Sequence, residues 1–121
     1  FSMAYVATVQ DAIDAAEKGA DCLVPHVGAT SGGLVGHETE TKVDEEIRKI
    51  SEMIDAVMAA GHAPIFLCHG GKIALPEDTR RVYEDTQCVG FVGASSIERI
   101  PIEHAVKTIA ENFKSIPFSK R

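Results

Sequence analysis

The stretches PIFLCHGG, residues 64–71, and CVGFVGASS, residues 88–96, decide the fold. Each is a short apolar run that stops at glycine, and each leads into a helical signal. After the first come Pro76, Glu77 and Asp78, with proline at a first-turn position and acids at the positive end of a helix dipole. After the second, Ile102, Val106, Ile109 and Phe113 are spaced four, three and four apart, one face of a terminal helix. The runs are continuous rather than alternating, the pattern of parallel strands buried on both faces.

The same rhythm extends upstream. Met3 to Ala7 reads as a strand, and Thr8 as an N-cap with Asp11 at the third helical position, followed by Ala12, Ile13, Ala15 and Ala16 up to Gly19. Asp21 to Val27 reads as a second strand, with Pro25 an unusual member. Val43, Ile47, Ile50, Ile54, Val57 and Met58 mark an amphipathic helix closed by Gly61. Four βα units therefore fill the chain, and right-handed crossovers lay their helices on a parallel sheet. Two α/β architectures accommodate them: a small open doubly wound sheet, or half of a TIM (βα)8 barrel, which needs ~250 residues for eight units. Strand-like sequence begins within two residues of Phe1, as if midway through a fold, and the glycine-rich ends of the last two strands suit a barrel mouth. We expect residues 1–121 to be a single partial domain, the C-terminal half of a TIM barrel.

Composition narrows the function classes. At 121 residues, 45% apolar and 25% charged, the chain has the make-up of a globular domain, not of a disordered tail or disulfide-dense miniprotein. Twelve Lys and Arg against eighteen Asp and Glu leave a net charge of −6, the wrong sign for neutralising nucleic-acid phosphates. No apolar run approaches the ~18–20 residues that span a bilayer, and no charged leader precedes one. Cys22, Cys68 and Cys88 have no CxxC spacing and sit in or beside apolar runs, which predicts buried free thiols in a reducing, cytoplasmic setting.

In either architecture ligands gather at the carboxyl ends of the strands. Those ends carry His26 to Gly33 with Gly28 early in the turn, then His69, Gly70, Gly71 and Lys72, then Gly93, Ala94, Ser95 and Ser96. Glycines admit close backbone approach, and amides and hydroxyls at a helix start donate to anion oxygens. The plain alternative is ordinary turn glycines and N-cap serines. His26 and His69 can share one mouth as acid, base or metal ligands, or be structural hydrogen-bonded residues. His37 and Glu38 are either further ligands or a solvated pair. Without an HExxH or an acidic triad, a metal site is unsupported. The loop from Gly28 to Lys42 is long enough for a lid or a surface excursion. Glu98 and Arg99 are a catalytic acid with its partner or first-turn charges, Lys72 a phosphate neutraliser or a solvated charge. Asp44, Glu45 and Glu46 read as a helix start, and Arg80 and Arg81 as a solvated face.

The runs GAD (19–21), HVG (26–28) with TSGG (30–33), LCHGG (67–71), PED (76–78) and GFVGASSIER (90–99) together resemble the phosphoenolpyruvate hydrolase-like TIM-barrel family over nearly the whole chain. The resemblance implies a barrel, oligomeric in some members, whose assigned activity is hydrolysis of phosphoenolpyruvate or phosphonopyruvate, with Mg as the cofactor suggested by analogy. It places His26, His69, Gly70, Gly71, Gly93, Ala94, Ser95, Ser96 and Glu98 at the mouth. Residues of the earlier strands, metal-binding acids among them, are absent from this segment. The expected partners are a small anionic substrate and either further copies of the chain or the N-terminal half-barrel. The rival reading is a non-catalytic anion-binding or assembly module.

Overall fold

Thr8 caps the first helix as its spacing predicts: its hydroxyl accepts from the Asp11 amide while the Asp11 carboxylate accepts from the Thr8 amide, both at 3.1 Å. The computed structural model, which describes residues 1–36 and 38–118, has β1 Met3–Val6, α1 Val9–Glu17, β2 Cys22–Pro25, α2 Val43–Ala59, β3 Ile65–Cys68, α3 Pro76–Asp85, β4 Gly90–Phe91, the single turn α4 Ser95–Glu98 and α5 Ile100–Lys114. Pro76 opens α3, and Gly19 and Gly61, at φ +82° and +87°, turn the chain after α1 and α2.

The strands form one parallel sheet in the order β1-β2-β3-β4. This order follows the chain, without the reversal that defines a doubly wound sheet. In register, Val6 lies beside Pro25, Leu23 beside Phe66 and Cys68 beside Phe91. Side chains alternate across the sheet. Val6, Leu23, Phe66 and Cys68 share a core with Ala12 and Ala16 of α1, Ile47, Ile50, Met53, Ile54 and Val57 of α2 and Val82 of α3. Among the described residues no helix covers the other face at its margins. Met3 and Tyr5 are each 52% exposed there and Ile65 45%, although Cys22 and Val24 of the central strand are buried.

Two expectations are corrected. The last strand is Gly90–Phe91 rather than Cys88–Val92, because it pairs on one side only and the Cys88 amide is taken by the Thr86 hydroxyl. The terminal helix begins at Ile100, and its apolar stripe does not reach the core: every residue from His104 to Phe118 is exposed. The three cysteines are buried free thiols. Among the described residues no helix is long and apolar enough to cross a membrane.

Candidate functional site

One residue beyond the ends of β2 and β3, His26 and His69 face each other across a parallel bridge. Partners in a parallel pair project from the same face, and the two rings stand 5.0 Å apart, centroid to centroid. Tyr5 of β1 meets both edge-on, at 5.6 Å from His26 and 5.2 Å from His69. The cluster thus spans three strands on the face opposite the helices.

His69 is buried, with Nδ1 at 2.7 Å from the Val92 carbonyl oxygen. A carbonyl only accepts, so Nδ1 carries the proton and Nε2 of the neutral ring keeps its lone pair. That fixed tautomer is what a general base requires. Burial, and then the neighbouring His69, push the His26 pKa below its ordinary 6.5. An imidazolium at His26 is therefore disfavoured this close to the His69 ring. Beside His26 lies a cavity of about 250 Å³, with Thr8, Lys49, Glu52 and Met53 in its wall. It is smaller than the ~300–1,000 Å³ of drug-sized sites and suits a small compound.

The LCHGG turn is built differently from its sequence-based reading. Gly70 and Gly71 adopt φ +90° and +59°, where other residues are strained. The Gly71 amide donates to the Gly28 carbonyl at 2.8 Å, and the Gly71 carbonyl accepts from the Ser31 amide and hydroxyl at 2.8 and 3.0 Å. The Lys72 amide donates to Glu46 Oε2 at 2.7 Å. As anion donors, the amides of Gly71 and Lys72 are therefore already taken, and the Gly28 carbonyl points at Gly71. Glu46, read from sequence as a helix-start charge, is instead buried beneath this turn. Burial pushes its carboxyl pKa up, against the opposing pull of the Lys72 amide.

The GASS turn keeps its donors free. The amides of Gly93, Ala94, Ser95 and Ser96 have no backbone acceptor among the described residues. The turn adjoins Val92, whose carbonyl holds His69, so it is fixed beside the histidine pair. Ser96 departs from this group. Its hydroxyl is buried without a partner, and the residue lines a cleft against Leu75, Tyr83 and Phe91 of the α3 and β4 flank.

Glu98 is exposed at the end of α4 and no hydrogen bond joins it to either imidazole. Arg99 does not pair with it. Arg99 pairs with Glu103 at 2.8 Å and donates to the carbonyls of Gly32 and Thr30 at 3.1 and 3.5 Å, while Glu103 accepts from the Leu34 amide at 2.5 Å. Arg99 beside it, then the Leu34 amide, hold the Glu103 carboxyl below the usual range. The first part of the long loop is thus bolted to α5, and with Ser31 bound to Gly71 it is no free lid. Lys72 lines a separate hollow with Ser31, Gly32 and His104. Arg81 pairs with Asp44. His37 lies outside the described residues, and Glu38 is exposed. Among the described residues no three His, Cys, Asp or Glu side chains converge as a metal site requires.

Sequence reasoning missed Tyr5 and gave Glu46 and Arg99 other roles, a helix-start charge and a partner of Glu98 or first-turn charge. Tyr5 was detectable as an aromatic near the end of a strand. Glu46 and Arg99 carried no local signal, because their partners are backbone groups of Lys72, Thr30 and Gly32, distant in sequence.

Comparison with known proteins agrees with the motifs. The chain is 38% identical over 113 residues to the ToMV susceptible protein tm-1(GCR26) and, equally, to the ToMV resistance protein Tm-1(GCR237), both of Solanum lycopersicum, covering 93% of this chain and 15% of each relative. It is 30% identical over 115 residues to y4pA of Sinorhizobium fredii, named as a transcriptional regulatory protein, covering 95% of this chain and 19% of that one. The chain thus spans under one fifth of the length of these relatives. Residues 1–116 match the family described as phosphoenolpyruvate hydrolase-like, and to that family the chain belongs.

Proposed function

We propose that this chain is the later half of a βα barrel that binds a small phosphorylated or carboxylated compound at the strand ends, and that the whole barrel hydrolyses phosphoenolpyruvate or phosphonopyruvate. The observation that carries the reading is the convergence of His26 and His69 beside a turn of four free amides. In this reading the amides of Gly93 to Ser96 hold the anion, and His69 Nε2 takes a proton from the attacking water. The half-barrel reading is supported by the sequential strand order and by the bare sheet face bearing Met3, Tyr5 and Ile65, which a closed barrel turns inward. Mg ligands would come from other strands, since no set assembles among the described residues, and no step here depends on one.

The test is to supply phosphoenolpyruvate and phosphonopyruvate, with and without magnesium, to the full-length protein that contains this chain, and to measure pyruvate and phosphate. His26→Ala and His69→Ala are expected to abolish turnover and retain binding by calorimetry. Absence of turnover with either compound removes the hydrolase reading. The second reading, a non-catalytic anion-binding or assembly module, is favoured by the solvent exposure of Glu98. Binding of phosphate esters that is indifferent to both histidine substitutions, without turnover, selects it.

A further inference from the structure

Gly70 and Gly71 give the turn after β3 little stiffness of its own, so His69 is held by what that turn is tied to. One tie is direct: Nδ1 of His69 donates to the Val92 carbonyl, at the start of the GASS turn. The other runs through the β2–α2 loop. The Gly71 carbonyl, two residues past His69, accepts from both the amide and the hydroxyl of Ser31, at 2.8 and 3.0 Å. Ser31 is buried. The residues on either side of it give their carbonyls to the Arg99 guanidinium: Gly32 accepts from Nη1 and Nη2, each at 3.1 Å, and Thr30 from Nη2 at 3.5 Å. A planar fork of fixed donors can span two such carbonyls, and an ammonium cannot hold both in the same way.

Arg99 is in turn fixed to the GASS turn. Its amide donates to the Ser95 carbonyl at 3.2 Å, and the amides of Ile97 and Glu98 both donate to the Ala94 carbonyl at 2.8 Å. Glu103 keeps the fork aimed, pairing with Nη1 at 2.8 Å while its other oxygen accepts from the Leu34 amide at 2.5 Å. The bonds close a circuit: from His69 to Val92, along the GASS turn and α4 to Arg99, across to the carbonyls flanking Ser31, and through Gly71 back to His69. We infer that Arg99 is a positioning residue of the site, which acts through Ser31 to fix His69 relative to the Gly93 to Ser96 turn. The side chain of Arg99 bonds to loop carbonyls and to Glu103, not to either imidazole, so it sets where the base stands without touching a ligand. The inference rests on the proposed function for the role of His69, whereas the contacts that carry it involve no ligand.

Arg99→Lys in the full-length protein that contains this chain tests it, because lysine keeps the charge opposite Glu103 and loses only the fork. Two readouts are taken without ligand: amide hydrogen exchange by mass spectrometry, and histidine-selective NMR with the His69 signal assigned by its loss in His69→Gln. Exchange at residues 28–34 and at residues 69–73 is expected to rise together by about tenfold, the scale of a lost hydrogen bond to a charged donor. The His69 Nδ1 proton is expected to exchange faster with water, a change that loosening of the loop alone does not produce. Ser31→Ala, a second and smaller perturbation, should raise exchange at residues 69–73 and shift the same His69 signal. If Arg99 acts through Ser31, the double variant shows less than the sum of the two effects. Exchange that rises only at residues 28–34, a His69 signal unmoved in both variants, or additive effects in the double variant overturns the inference. Turnover of phosphoenolpyruvate by the unmodified protein, measured alongside, tests the proposed function separately: its absence removes the role of His69 as base and leaves the exchange result to decide the positioning.

Discussion

Glu46 is the residue whose replacement tests the packing account most sharply. Its carboxylate is buried at 1% exposure and accepts the Lys72 amide at 2.7 Å, holding the turn that carries His69. Glu46→Ala deletes the acceptor and leaves a half-buried amide unsatisfied, a loss of about 1–3 kcal/mol. With about 2 kcal/mol lost, Tm falls by ~6–12 °C for a domain of this size. Glu46→Gln behaves differently, because the amide oxygen still accepts from Lys72 and no charge is buried. The pH dependence separates the two. Burial raises the folded carboxyl pKa above its ordinary 4.5, so the folded state holds the proton more tightly than the unfolded chain. This stabilisation is complete below the ordinary value and is lost as pH rises through the folded value. Glu46→Gln should therefore match or exceed the unmodified protein at pH 7, with its relative advantage vanishing in acid. Thermal melts across pH 4–8 are the assay. An unshifted Glu46→Ala, or a Glu46→Gln as damaged as Glu46→Ala, refutes the reasoning.

Glycine conformation gives a graded prediction: Gly19→Ala, at φ +82° with open space around it, should cost about 1 kcal/mol. Gly70→Ala, at φ +90° and against the Gly28 carbonyl, should cost clearly more, and equal costs by denaturant titration would contradict the packing described. Arg99→Ala should release residues 30–35 to limited proteolysis; an unchanged digestion pattern denies the anchor. Because the Glu103 carboxyl lies below its ordinary 4.5, its contribution is present above that value and lost as pH falls through the folded one, so Arg99→Ala should flatten the acid limb of stability. The His26 ring should titrate below 6.5 by proton NMR, making the fold less stable as pH drops beneath the ordinary histidine value, and His69→Gln should raise that midpoint. A midpoint at or above 6.5 in the unmodified protein counts against the coupled pair.

The strand and helix rhythm was legible because its signals are local. Thr8 with Asp11, Pro76, Gly19 and Gly61 each mark a helix end within a few residues of chain. The proximity of His26 and His69 was also readable, since strand ends in a parallel sheet share one rim and the two lie one residue past β2 and β3. The destination of each backbone donor was not. The sequence HGGK does not say that the Gly71 amide turns to Gly28 while Lys72 turns to Glu46, because both acceptors lie more than twenty residues upstream. Likewise the periodicity of α5 marks an apolar face but not what it meets. The Arg99 anchor to the loop carbonyls decides that, and it is set by tertiary structure alone.

The proposed function requires His69 and the free amides beside it to form one ligand site. Histidine-selective and backbone nitrogen–proton NMR, recorded while phosphoenolpyruvate is added, observes both halves of that site at once. The predicted result is a His69 ring bearing a proton on Nδ1 before addition, followed by concerted shifts of the His26 and His69 rings and of the Gly93 to Ser96 amides. A His69 ring protonated on Nε2, or saturating ligand that leaves those signals in place, contradicts it.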